Sequence, residues 1–496
     1  MVGRRARSLA SQLLLVIVAA LVGLAFVTSG DSAASPCRKS RCDGKAPSTP
    51  RNLRITAKTD SAIALAWRAS TDNVRVKGYY IFRGRTKVGT TSARTYTVGG
   101  LRCATSFKLA VRAFDAAGNR SRKASITAST NACPVVDTEP PPTIGASLPA
   151  TLAASTGATF YVSTTGSDSN PGSAEAPWRT VQKALDTLGP GERALVRSGT
   201  YSEDLFMSRA GTAQDPITVT AYPGETAVLR PAATSGDTYA IIFSEAAYVR
   251  LQGFLIEGST GTSAANVYVT GSSHHIEIAG NEIRYGQDQG FYADATTSHV
   301  YLLGNIVHSN GLTRVEGQHQ NHGIYIKGAH DLIANNIIYN HPYGFGLQLW
   351  GANHDTVVID NTIVGSGHSS IIVGGPGAGV YNITITNNVL HGGSWGVQMD
   401  TTCPTGPITI ERNLMHAYKE GAIESGCGAV SAAGNILADP GFVDYAARDL
   451  RLEAGSPGLE VAVAEWSAPR DIEDHSRPQG AGPDIGAFER PLDAGA

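Results

Sequence analysis

Residues able to do chemistry crowd one part of the sequence. Lys327 ends an alternating apolar run, and the segment before it, Ser309 to Asn321, carries Arg314, Glu316 and His319, with His322 directly after. His341 and Tyr343 follow in the next loop, and Asp294 lies 33 residues before Lys327. A cation can neutralise an anion, an amine of depressed pKa can take a proton, and two carboxylates can divide acid and base work. Glu316, His319 and His322 are also metal-ligand types, but a zinc site is not the favoured reading of them.

These residues belong to a repeating segment. An asparagine followed by apolar residues recurs at Asn281, Asn305, Asn336, Asn361, Asn388, Asn413 and Asn435, with spacings of 24, 31, 25, 27, 25 and 22. Each unit has the same order: a glycine-led run such as Gly323 to Gly328, a second run such as Asp331 to Ile338, then a polar loop. No unit contains a helical stretch, so each period reads as one lap of short strands. Laps stacked about 4.8 Å apart make a parallel β-helix, with equivalent residues in ladders. The asparagines are expected to hydrogen-bond from lap to lap at a bend. His275, His299, His330 and His354, six or seven residues before each asparagine, are read as a second ladder of turn formers.

On the glycine-led strands alternate residues face inward, and Ile324 and Ile326, Leu347 and Leu349, and Val397 and Met399 suit those places. The outward pairs are then Tyr268 and Thr270, Tyr292 and Asp294, Tyr325 and Lys327, Gln348 and Trp350, Ile372 and Gly374, Gln398 and Asp400. This stripe of aromatic, amide and charged groups suits a sugar chain. The 31-residue spacing puts extra length in Ser309 to Asn321, and long loops on a rigid scaffold commonly carry function.

The chain has 496 residues, 42% hydrophobic and 17% charged, with net charge −2, which gives no reason to expect nucleic acid or an anionic membrane as partner. Its 56 glycines suit a fold that turns on every lap. Arg4, Arg5 and Arg7 precede an uncharged run from Leu13 to Val27, too short to span a bilayer, so residues 1–35 are read as a secretory signal and the protein as secreted; an N-terminal anchor facing outside is the alternative. Six cysteines agree with that compartment and are expected to pair in order: Cys37 with Cys42, Cys103 with Cys133, Cys403 with Cys427. After a polar segment (36–46), residues 47–131 alternate as short strands around Trp67 and read as a β-sandwich. A Pro/Ala/Ser/Thr-rich linker (132–156) leads to the coil (157–492), which Phe160 to Val162 and the amphipathic Trp178 to Leu188 would cap.

Pro47-Ser48-Thr49-Pro50, Ser70 to Val74, Gly78-Tyr79-Tyr80 and Ala113 to Asn119 resemble a fibronectin type III domain of bacterial polysaccharidases. The repeats, with Gly455-Ser456-Pro457 and Asp484 to Glu489 near the end, resemble the secreted pectate lyase-like β-helix superfamily. The resemblance implies an all-β chain, a sandwich followed by a right-handed single-stranded parallel β-helix, and a monomer degrading a polysaccharide. By analogy with its lyases, Lys327 would remove the proton α to a uronate carboxylate and Arg314 would neutralise that carboxylate. His322, Glu316 and Asp294 complete the catalytic candidates. Tyr292, Tyr325, Gln348, Trp350, His319, His341, Tyr343, Gln398 and Asp400 would bind substrate. Asp294 would raise the lysine pKa unless it held calcium, the one cofactor considered. The sequence lacks the aspartate cluster of the calcium-dependent pectate lyases and the lysine-then-arginine pair of the alginate lyases. A glycoside hydrolase is the alternative; Asp294 and Asp400, four laps or roughly 19 Å apart, are too distant to serve as its pair, leaving Asp294 with Glu316 or Asp288. A non-catalytic protein binding a cell-surface glycan is the third reading.

Overall fold

The computed structural model describes residues 43–131 and 152–491, apart from 60–61, 100, 102–104, 234, 262, 313–320, 377–378, 425 and 429. Cys37, Cys42, Cys103 and Cys133 therefore lie outside the described residues. The chain divides into two compact units between Val136 and Asp137.

In the first unit, Arg51–Lys58, Ile63–Arg68 and Thr95–Val98 form a three-stranded antiparallel sheet. Thr86–Thr91, Val76–Arg83, Ser106–Asp115 and Ala124–Ser129 form a four-stranded one. Strand alternation turns Ile63, Leu65, Trp67, Ile81, Leu109 and Val111 into one core. Trp67 is buried with its ring edge-on to Tyr79, so it is a core residue and offers no platform to a ligand.

The second unit is a parallel β-helix. Three sheets of nine, nine and eleven strands run its length, and each lap contributes one strand to each. One nine-stranded sheet, called here the groove sheet, runs from Leu205–Met207 through Tyr239–Ser244, Ala265–Thr270, Gln289–Ala293, Ile324–Ile326, Leu347–Trp350, Ile371–Gly374 and Trp395–Met399 to Gly421–Ile423. Pure parallel pairing fits strands whose inward side chains fill an enclosed core: Ile324, Ile326, Leu347, Leu349, Val397 and Met399 are all buried in it. The helix Val181–Thr187, capped by Thr180, covers the first laps as expected from the amphipathic stretch. Residues 152–156, assigned to the linker by composition, already pack on the coil: Leu152 N–H donates to Glu277 at 2.9 Å and Ser155 to Pro216 O at 2.8 Å.

Two ladders fix the bends. At the turn between the second and third strands of each lap, every asparagine from Asn281 to Asn413 donates through Nδ2 to Oδ1 of the next, at 2.9–3.1 Å. The same Oδ1 also accepts that asparagine's main-chain N–H. At the turn after the groove sheet, His275, His299 and His330 occupy left-handed positions (φ 52°, 54° and 57°) and their rings stack. His354 leaves this ladder. Asp355 takes the left-handed place, and His354 pairs in register with Ala329, one position earlier. The sequence spacing shows the same slip, since His354 is seven residues from its asparagine and the others six.

Cys403 and Cys427 are bonded, joining adjacent laps as expected. Closing a loop of sequence separation 24 is worth about 3 kcal/mol in the chain-entropy view. The double variant Cys403→Ser/Cys427→Ser should lose that much stability, read as a lower thermal midpoint that reductant no longer changes. The C-terminal strap lays Ile485 and Ala487 onto the flank of the coil, where Ala487 N–H donates to Thr362 at 3.0 Å. No helix among the described residues is long and apolar enough to cross a membrane.

Candidate functional site

Strand register decides what faces outward on the groove sheet. Ile242, Tyr268, Tyr292, Tyr325, Gln348, Ile372 and Gln398 pair in one continuous column. Ser244 pairs with Thr270 and Trp350 with Gly374, while Asp294, Lys327 and Asp400 continue that second column just beyond the strand ends. The outward pairs read from the sequence are thus the observed ones.

The tyrosines differ from the expected sugar platforms in one respect. Tyr239, Tyr268, Tyr292 and Tyr325 stack face to face on one another, with centroids 5.3, 5.0 and 5.0 Å apart. Because a lap rise is close to an aromatic stacking distance, their faces are spent on each other. What they can show outward is ring edges and phenol groups. Burial raises the pKa of Tyr292 and Tyr325, with neighbouring tyrosines adding to the shift, so these phenols stay protonated. Tyr239 escaped the sequence reading because it lies three residues before the column member Ile242, outside the alternation.

Lys327 lies beside this row, half-buried. Its Nζ is 4.8 Å from the Tyr325 centroid and 5.4 Å from that of Tyr292, and donates to Tyr292 Oη at 3.3 Å. Its pKa is lowered: burial disfavours the ammonium, and the opposing charge of Asp294 does not reverse the shift. Asp294 opposes the shift as expected, and its carboxylate also accepts from other donors. Oδ2 accepts from Thr270 Oγ1 and, at 3.3 Å, from Tyr268; Oδ1 accepts from Thr296 N–H and hydroxyl at 2.9 and 2.5 Å. Those hydrogen bonds also suit it poorly to calcium, which takes six to eight oxygens. Asp294 belongs to none of the three His/Asp/Glu clusters among the described residues, and no step below uses a metal.

The remaining candidates separate. Arg314, Glu316 and His319 lie outside the described residues. His322 and His341 are inside the coil rather than at its surface. His322 Nδ1 accepts the Phe345 N–H at 3.2 Å, and the His341 ring faces Asn310 O and Val307 O, its pKa pushed down to about 4 by burial. Among the described residues each imidazole meets main-chain groups, and the His322 ring also lies edge-on to Tyr325 at 5.4 Å. Tyr343 is exposed. Gln348 is buried, with no hydrogen-bond partner at Oε1 among the described residues. Gln398 accepts from Ser369 at 2.7 Å, and Asp400 caps its own turn through Thr402. Trp350 lies against Gly375, where a Cβ would fall 2.3 Å from the indole and φ is +103°, so this contact requires glycine. Asp288 is buried and its pKa is raised to about 7, by burial and by the charge of Asp237 rather than by Asp294. That carboxylate pair could not be read from positions 51 residues apart.

Residues 160–311 match the family described as Pel9A-like, right handed beta helix region, residues 265–437 the right handed beta helix region, and residues 48–129 the fibronectin type III domain. The chain joins a fibronectin type III domain to a right-handed parallel β-helix. The crystal structure of pectate lyase Pel9A superposes with a TM-score of 0.51 at 18% identity, over 68% of this chain and 97% of that one, a likeness of fold. An α-amylase and chitinase A1 of Niallia circulans are 44% and 43% identical over 91 and 98 residues, 18% and 20% of this chain. The chain spans only 7% and 14% of the length of those relatives. The uncharacterized protein YwoF of Bacillus subtilis is 24% identical over 351 residues, 52% of this chain and 74% of that protein.

Proposed function

We propose that the β-helix is a polysaccharide lyase that cleaves a uronate-containing glycan by β-elimination, with Lys327 as the base. The observation that carries this reading is Lys327 itself, a half-buried amine of lowered pKa set against Tyr292 and Tyr325 at the end of a row of stacked tyrosines. A uronate chain brings an acidic C–H α to its carboxylate for that amine to deprotonate. The neutral amine takes the C5 proton, the C4–C5 double bond forms as the C4–O4 bond breaks, and the leaving oxygen acquires a proton. Tyr292 is placed for that return, its hydroxyl 3.3 Å from Nζ. The fold of Pel9A and the amylase and chitinase relatives of the sandwich agree with a glycan partner, and the Cys403–Cys427 bond agrees with secretion.

Two expected outcomes test the geometry. Tyr292→Phe keeps the stack and removes the hydroxyl, so kcat should fall roughly 10-fold with little change in thermal midpoint. The sign of the pH dependence is also fixed. Activity needs the unprotonated amine, so the rate should rise with pH through the Lys327 pKa, below that of an ordinary lysine. Asp294 raises this pKa, so Asp294→Asn should move the rising limb to lower pH; movement to higher pH, measured as kcat/KM against pH, would contradict the assignment.

A further inference from the structure

The slip in the histidine ladder creates a cluster that the groove chemistry does not use. In the laps of His275 and His299 the left-handed turn position holds an imidazole that stacks on the next. One lap beyond His330 that position holds Asp355, and the displaced His354 stands next to it. Two imidazoles and a carboxylate from adjacent laps therefore converge, with one ligand atom from each within 4.8 Å of the others. His354 Nδ1 is 2.7 Å and His330 Nδ1 is 3.9 Å from Asp355 Oδ2.

We propose that His330, His354 and Asp355 bind a borderline transition-metal dication of the zinc class, clamping two laps together and leaving a coordination position open. Two nitrogens and one oxygen are the donor set such ions prefer over calcium or magnesium. Metal–ligand bonds of about 2.0–2.2 Å place tetrahedral ligand atoms about 3.3 Å apart. The observed His–Asp separations of 2.7 and 3.9 Å bracket that value, and all three ligand atoms lie within 4.8 Å of one another. Supporting contacts hold the ligands. Asp355 Oδ1 accepts from Asn382 Nδ2, the His354 ring stacks on Tyr381 at 4.6 Å, and His330 N–H donates to His354 O at 2.9 Å. His330 is buried and the other two are partly accessible, which gives an ion an approach from one side. The histidines and aspartate are not Lys327's partners, so the site stands apart from the reaction proposed above.

The test is calorimetric titration of the full-length, chelator-treated protein with zinc chloride. Wild type should show a site whose affinity falls at least about 10-fold in both Asp355→Asn and His354→Gln, and zinc should raise the thermal midpoint of wild type only. Cobalt(II) added to wild type should give the visible absorption of a nitrogen- and oxygen-ligated ion, removed by zinc, a readout that needs no variant. Zinc binding equal in wild type and both folded variants, or no cobalt spectrum displaceable by zinc, would overturn the proposal.

Discussion

Lys327→Ala is expected to lower kcat on a uronate polysaccharide by about 10²–10⁴-fold, the usual worth of a general base. Its side chain packs against Tyr292 and Tyr325 at the surface of the groove sheet, so the fold should survive and the thermal midpoint should move little. Lys327→Arg sharpens the result. Arginine keeps the positive charge but cannot lose its proton, so it should bind substrate and remain as inactive as the alanine variant. Steady-state kinetics would show kcat reduced with KM nearly unchanged. Recovered activity in the arginine variant would make residue 327 a charge-neutralising group, with the base elsewhere.

Asn361→Ala is expected to be the most damaging substitution to stability, at about 3–5 kcal/mol, although it touches no groove residue. Asn361 is fully buried. Its Oδ1 accepts both the N–H and Nδ2 of Asn336 at 2.9 Å, and its Nδ2 donates to Ile333 O, Ile359 O and Asn388 Oδ1 at 2.8–2.9 Å. Removing the amide strands the buried Asn336 N–H and takes one partner each from Asn336 Nδ2, Ile333 O, Ile359 O and Asn388 Oδ1, a buried group left unrelieved costing about 1–3 kcal/mol. The ladder runs from Asn281 to Asn435, so the break falls in its middle and separates two stretches whose bonds reinforce one another. The thermal midpoint at a fixed scan rate measures this. The exposed Lys419→Ala, in the same coil, should change it hardly at all.

These two residues mark what the sequence could and could not disclose. Asn361 was legible because a structural ladder repeats: one residue type at each lap's bend announces itself by spacing, and outward positions such as Tyr325 and Lys327 follow from strand alternation. The groove's character was less legible. That the tyrosines spend their faces on one another depends on rotamers and lap rise, which spacing does not encode. Adjacency to a long loop likewise says nothing of how far a side chain is covered, and the imidazoles of both His322 and His341 are buried against main-chain groups. The lowered pKa of Lys327 also required knowing that burial outweighs the charge of Asp294.

The most direct test of the central claim is incubation of the full-length protein with a panel of uronate polysaccharides, following together the ultraviolet absorbance of unsaturated uronate and the appearance of reducing ends. The groove built around Lys327 predicts that both rise in proportion on at least one polymer and that both vanish in Lys327→Ala. Reducing ends without the absorbance, or full activity in the variant, would contradict it.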